Sequence, residues 1–461
     1  MGRTPPSAGG SLLLGCARQL QHDQLGTYAE AMAAHGDIAR FRVGPPRFGF
    51  EFDAVFSPEG AHQVLAGDAG HYVKDAPVIG EFRHFLGDGL LVSRGERWLS
   101  HRRIAQPLFT RRAVTSHLEA IAAATGDLLS WCEADAAAGT PVDLHALSMR
   151  YALAALGRSV FGKDIAQVAP TLRDVLPPLG DHLKHRALSP LRSPHWFPSP
   201  ANRRGERMRK LVWDLADSLI ADRRATGMEG TDLLSRLLSA RDPDTGEALS
   251  DADVRDEVII FLIAGHETTG SALAFTLHLL GRHQEVQDRV RAEAAEAAVS
   301  VRNGAPTVHD VERLPYTVQV INEAMRLYPP AHTVVRRAEA DTELLGYPVQ
   351  KGRIVAVSIW GVHHRSTVWA EPFEFSPERQ EVDLSTGVAG RRPTPYRQFP
   401  FGGGPRKCIG EHLAMAELAA AVAALLGRYR LRSLLEVPEV EVDLALRPRG
   451  TLPCRFEIMA P

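Results

Sequence analysis

One helical pattern runs without a break from about Ser250 to Leu280, and it constrains the fold of this chain more than any other feature. Ser250 followed by Asp253 is a capping-box start, and Gly281 marks a stop. At 1.5 Å rise per residue, about 30 residues make a rod roughly 45 Å long, enough to cross a whole domain. Apolar residues flank its middle on nearly all sides, from Val258–Ile263 to Leu273–Phe275, so the rod belongs in a core. The string Ala264-Gly265-His266-Glu267-Thr268-Thr269 interrupts that apolar run with an acid and two hydroxyls. Such groups are costly to bury without partners. Thr268 is placed to bond a carbonyl one turn back and loosen the helix locally.

The rest of the chain must pack around this rod. Phe41–Val43 and Phe50–Phe56 read as short strands around a Gly-Pro-Pro turn. Helical spacing recurs near 94–105, 113–136, 142–160 and 203–226. Six prolines between 176 and 202 predict a loop between helices. A further helix starts after Leu314-Pro315 and ends before Pro329-Pro330. Strands follow near 343–349 and 353–358, then an irregular stretch over 381–400. A last long helix runs from Glu411 to Leu426 with a stop at Gly427, and the tail 438–458 is β-like. The reading is a mainly α fold with small β-sheets. It forms a single large domain over 1–461, with a β-rich part to residue 90 and a helical body after it. Nothing reads as a linker or a repeat.

Composition removes several classes of function. Lys+Arg is 53 and Asp+Glu is 55, a net charge of −2, so no global attraction for nucleic acid or anionic membranes exists. The four cysteines, Cys16, Cys132, Cys408 and Cys454, are far apart and form no C-x-x-C pair, which excludes a disulfide framework or a Cys-rich zinc site. His266-Glu267 does not extend to H-E-x-x-H, because Gly270 stands where the second histidine is needed. No run approaches the ~18 consecutive apolar residues of a spanning helix. Met1–Gly10 has one Arg and no apolar signal core, so neither a signal peptide nor a membrane anchor is expected.

The sharpest local chemistry lies at 399–410. Three glycines, Gly402 to Gly404, let the backbone turn tightly, and Cys408 stands just before the helix that begins near Glu411. A helix N-terminus and the flanking Arg406 and Lys407 favour a thiolate, the form that ligates metals or attacks electrophiles.

The pattern Phe401-x-x-Gly404-x-Arg406-x-Cys408-x-Gly410 resembles the haem-ligand signature of the cytochrome P-450 superfamily at every defining position. The chain is identified as a member of its soluble bacterial type, and the resemblance covers nearly all of it. It implies haem b with Cys408 as axial thiolate, whose electron donation favours O–O cleavage. It makes Ala264-Gly265-His266-Glu267-Thr268-Thr269 the oxygen-activation motif. Thr268 would hydrogen-bond the dioxygen, Glu267 would join the proton path, and Ala264 and Gly265 would leave room. Glu323-Ala324-Met325-Arg326 resembles the family's Glu-x-x-Arg motif, with Arg379 as third member of a structural triad. Gln380 stands where the family usually carries an aromatic or large apolar residue. Trp98 and Arg102, in Trp-x-x-x-Arg, would contact a haem propionate, as would Arg336 and Arg406.

By the same resemblance the substrate pocket is lined by Val78, Ile79, Phe82, Phe85, Leu90, Leu91, Phe261, Ala264, Val334, Val335 and Leu452. This apolar set implies a lipophilic substrate, a fatty acid, terpenoid or polyketide. The reaction implied is insertion of one oxygen atom of O₂ by hydroxylation or epoxidation in a cytoplasmic bacterial monomer. No fused reductase is expected, so electrons would come from a separate ferredoxin or flavodoxin. Arg102, Arg103, Arg111, Arg112, Arg391, Arg392, Arg397, Arg406 and Lys407 would form its docking face. A peroxide-driven or non-oxygenase haem-thiolate enzyme, and a non-catalytic haem sensor or carrier, are the rival readings.

Overall fold

In the computed structural model the described residues are 4–46, 48–189, 192–226, 232–296, 313–380 and 396–459. The rod is there: a helix over Asp251–Arg282, about 48 Å long, opened by the Ser250–Asp253 capping box. It continues one residue past Gly281 and is capped at His283. Helices Leu144–Val160, Ala169–Ala187 and Pro200–Ala225 pack on one part of it to form the largest apolar core. Helices Leu118–Ala138, Pro315–Leu327 and Glu411–Arg428 form a second core with its C-terminal half. By length and apolarity this helix could span a bilayer, yet 83% of its apolar window is buried inside the protein.

The strands are, in chain order, β1 (Ile38–Val43), β2 (Phe50–Val55), β3 (Tyr72–Val73), β4 (Val142–Asp143), β5 (Thr333–Ala338), β6 (Thr342–Leu344), β7 (Tyr347–Val349), β8 (Ile354–Ser358), β9 (Tyr429–Ser433), β10 (Val440–Val442), β11 (Leu446–Pro448) and β12 (Pro453–Ile458). The main sheet has the order β1-β2-β8-β5-β3, with only the β2/β8 pair parallel. It brings the first 75 residues beside the segment that follows Arg326, which puts Lys74 and Arg336 near one another. Thus the fold is mainly α with small sheets, as expected.

Three boundaries differ from the sequence reading. The part before residue 90 holds more helix than strand: Ala17–His22, Gln24–His35, Pro58–His62 and Pro77–Leu86. Leu25, Tyr28 and Ala31 recur at helical spacing and are buried, which is the signal that was available there. The Pro-rich stretch is not all loop. Helix Ala169–Ala187 passes through Pro177 and Pro178. The carbonyls those prolines leave without donors belong to Arg173 and Asp174, which are exposed residues, where solvent can replace the missing donors. Gly427 likewise lies inside the last helix rather than ending it. The irregular stretch 381–395 lies outside the described residues.

Acids near the start of the rod anchor the chain that precedes Trp98. Asp256 accepts from the Asp88 N–H at 2.8 Å, and Glu257 from the Leu90 N–H at 2.7 Å and from His101 Nδ1 at 2.6 Å.

On the other side, Glu323 and Arg326 form a bidentate pair at 2.9 and 2.8 Å, with both side chains fully buried. Arg379 Nε lies 2.9 Å from Glu323, so the predicted triad is formed. Arg326 also donates to the carbonyls of His363, Pro372 and Glu374. The Gln380 side chain lies outside the described residues. Removing one partner of a buried pair leaves the other charge uncompensated, which costs ~3–5 kcal/mol. Glu323→Ala should therefore lower unfolding free energy by about that amount in urea titrations. A variant as stable as the parent would contradict the structural role.

Candidate active site

The Cys408 loop is pinned at both ends. Its entry is fixed by the Phe399 N–H, which donates to His363 Nε2 at 3.0 Å, and by Gln398, which donates to the Asn322 carbonyl at 2.8 Å. Its return is fixed by the Cys408 N–H, which donates to the Phe401 carbonyl at 2.9 Å. Gly404 has φ +65°, and a Cβ there would lie 1.7 Å from the Leu65 carbonyl oxygen. It is glycine because two backbones meet, and it does not line the cavity below.

Cys408 opens onto a slot of about 320 Å³. Trp98, Arg102, Phe261, Ala264, Gly265, Arg336, Phe401, Arg406 and Gly410 line that slot with it. The sequence reading thus assembles nearly all its cofactor residues at one place. A second cavity of about 360 Å³, here called the chamber, lies against the slot. Val78, Ile79, Phe82, Leu91, Val334, Val335 and Glu267 line it, and Ala264, Thr268, Leu91 and Val334 line both spaces.

The central helix is open only here. From Asp256 to Gly281 every residue is buried except Ala264, Gly265 and Thr268, and these three line the slot. Thr268 Oγ1 donates to the Ala264 carbonyl at 2.6 Å, the back-bond expected of it. Gly265 serves packing as well as space, since a Cβ would come within 2.7 Å of Leu156 Cδ1. Glu267 is buried. Burial, reinforced by Asp443, pushes its carboxyl up to about 7, while Arg447 opposes the rise. His266 is held neutral by burial.

Two pocket assignments, Phe85 and Leu452, are corrected. On helix Pro77–Leu86 the residues facing the chamber are Val78, Ile79, Phe82 and Leu86. Phe85 lies about 100° around from Leu86 and packs instead on His84, His182 and His195. Leu452 is fully buried in the second core, tied to Asp143 and Leu144 through its backbone. Phe261 and Leu90 line the slot and not the chamber.

Two residues of the slot were not found from sequence. Lys74 lines both cavities, and burial together with Arg336 and Arg406 disfavours its charge. Glu417 lines the slot with Oε1 unpartnered, and burial pushes its carboxyl up to about 8. Neither stands in a motif.

The electrostatics of the slot are lopsided. Lys74, Arg102, Arg336 and Arg406 converge on it, and none has a carboxylate partner among the described residues. Arg406 lies with its guanidinium 4.0 Å from the Trp98 ring centroid, and its Nη1 is buried without a hydrogen-bond partner. The Cys408 thiol is pushed up by burial, which Gly410 N–H, Arg102 and Lys407 only partly offset. So the protein alone does not give the low thiol pKa that the helix start and cations suggested. A positively charged ligand atom at the sulfur would reverse that balance.

A family profile described as Cytochrome P450 matches residues 5–453. The chain belongs to the cytochrome P450 family. It is 36% identical over 406 residues to cyclooctat-9-en-7-ol 5-monooxygenase of Streptomyces melanosporofaciens, covering 88% of this chain and 84% of that one. It is 32% identical to cyclooctatin synthase of the same organism, covering 97% and 94% of the two chains. Rat cytochrome P450 4F3 is 32% identical over 87% of this chain and 80% of its own. The P450 is an oxidoreductase of the monooxygenase class, and its family binds haem through a cysteine thiolate. The slot fits that group: a thiol on one wall, and three arginines without carboxylate partners among the described residues, beside Lys74, for its two carboxylates.

The raised Glu267 carboxyl carries a stability consequence. The folded P450 keeps this proton up to about pH 7, whereas an unfolded glutamate releases it near pH 4.3. Burial of Glu267 therefore costs stability that grows as pH rises through that window. Glu267→Gln should be more stable than the parent at pH 8 by on the order of 3–4 kcal/mol, with the gain fading below about pH 4.5. Urea unfolding at pH 4.5 and 8 checks it, and a pH-independent difference would contradict it.

Proposed function

We propose that this P450 hydroxylates a lipophilic compound of the terpenoid class. The carrying observation is that the central helix is open only at Ala264, Gly265 and Thr268, where slot and chamber meet. The chamber walls are mostly apolar, which suits a hydrocarbon skeleton. The terpenoid class rests on the relative named for its action on cyclooctat-9-en-7-ol. Epoxidation across a double bond would use the same geometry.

Each role belongs to a named side chain. Cys408 holds the haem iron, and Arg102, Arg336, Arg406 and Lys74 hold its propionates, with Trp98 stacked on Arg406. Bound haem supplies the O₂ chemistry: one oxygen atom goes to the substrate and the other leaves as water after two electrons and two protons arrive. Val78, Ile79, Phe82, Val334 and Val335 orient the substrate and exclude water. Thr268 presents a hydroxyl at the boundary of the two cavities. Glu267, poised near neutral pH, holds a proton and passes it toward that hydroxyl. Glu323, Arg326 and Arg379 take no part in the chemistry.

Electrons come from a ferredoxin or flavodoxin in a bacterial cytoplasm. The docking patch is narrower than the sequence count. Arg103 is tied to Asp242 and Asp244, Lys407 pairs with Glu411, and Arg102 and Arg406 face the slot. Arg391 and Arg392 lie outside the described residues, and Arg111 and Arg112 are exposed.

The test is Thr268→Ala in the haem-loaded chain, turned over with ferredoxin, its reductase and a substrate that shifts the ferric spectrum. Haem should stay bound, while product per electron falls several-fold and hydrogen peroxide rises to match. An unchanged product-to-electron ratio would remove Thr268 from the proton path.

A further inference from the structure

The chamber is not apolar throughout. His332 lines it just before β5, and its Nδ1 is buried without a hydrogen-bond partner among the described residues. Its neighbour Thr333 also lines the chamber, with its Oγ1 buried and turned toward the Tyr28 hydroxyl. Buried polar groups are nearly always paired, so an orphaned imidazole nitrogen on a cavity wall points to a partner that the ligand brings. Tyr28 and Gln24, themselves bonded at 3.3 Å, line the same cavity.

The chemistry of that partner follows from what surrounds it. Burial holds the His332 imidazole neutral at ordinary pH, so it offers one donor and one acceptor. A hydroxyl matches that pair, being donor and acceptor at once. A carboxylate does not. Lys184, the cation beside His332, already donates to the Val442 carbonyl at 3.0 Å and is faced by Asp181 and Asp443. Lys74 also lines the slot, where burial disfavours its charge, and Asp443 on the chamber wall is paired with Arg447 at 2.8 Å, so no free cation awaits a carboxylate there. We propose that His332, supported by Thr333, recognises a hydroxyl group that the substrate already carries. The substrate class is then a mono-oxygenated apolar skeleton, neither a bare hydrocarbon nor a fatty acid, and the step that supplies it is one that installs a hydroxyl on a hydrocarbon. This rests on the reading of the chamber as the substrate site.

The experiment is optical titration of the ferric, haem-loaded full chain with two ligand pairs: cedrol against cedrene, and dodecanol against dodecanoate. One neutral hydrogen bond is worth about fivefold in affinity, so cedrol should bind about fivefold tighter than cedrene, and dodecanol tighter than dodecanoate. His332→Phe should bring the cedrene-to-cedrol ratio of Kd to within about twofold, and His332→Gln, which keeps a donor and an acceptor, should restore most of it. Thr333→Val should reduce the ratio in the same direction, which keeps the test open if His332→Phe folds poorly. Absence of an alcohol preference in both pairs, a preference for dodecanoate, or a ratio that neither variant moves would overturn the inference. A chain without haem absorption would instead overturn the functional reading on which it stands.

Discussion

A buried ion pair sets the position of the cysteine loop. Glu323 neutralises Arg326 where no water reaches either, and the remaining guanidinium protons are spent on three carbonyls between His363 and Glu374. His363 is thereby fixed, and its Nε2 accepts from the Phe399 N–H at the loop entry. That acceptor role requires a neutral ring, and burial holds the His363 pKa well down. The chain of contacts runs from carboxylate to guanidinium to carbonyl to imidazole to the loop, and it ends at Cys408. Interactions of this kind add little to net stability, yet removing one member is expensive. Here they give a loop one conformation.

The second constraint is the central helix, which is both the core and the active-site wall. The helix is buried over two dozen residues except at one turn, so Ala264, Gly265 and Thr268 are the residues it presents open to the cavities. Opposite it, the slot gathers positive charge that the protein does not answer. Such a cluster opposes its own folding by mutual repulsion, and a dianionic cofactor removes that cost. The thiol follows the same logic: burial holds it protonated until a metal ion stabilises the thiolate.

Legibility in the sequence followed the range of the interactions involved. The Thr268 back-bond, the Ser250 cap and the Glu323–Arg326 pair are local, and each is formed as its spacing suggests. Lys74, Glu417 and His332 act through what is packed against them from distant segments, and a single sequence holds no sign of that. Phe85 was misplaced because apolarity alone does not say which face of a helix meets a cavity, while the i, i+4 series Val78, Phe82, Leu86 does. Pro177 and Pro178 were read as breakers because the exposed carbonyls of Arg173 and Asp174 could not be foreseen. The free cations were overcounted for the matching reason: Arg103 and Lys407 already have carboxylate partners.

The central claim is that Cys408 sulfur holds the haem iron. The most direct measurement is the ferrous–carbon monoxide difference spectrum of the purified chain and of Cys408→Ser. The account predicts one haem per chain with the red-shifted band of a thiolate ligand, and loss of that band in the variant. A thiolate band that survives Cys408→Ser, or a parent chain that takes up haem without that band, would contradict it.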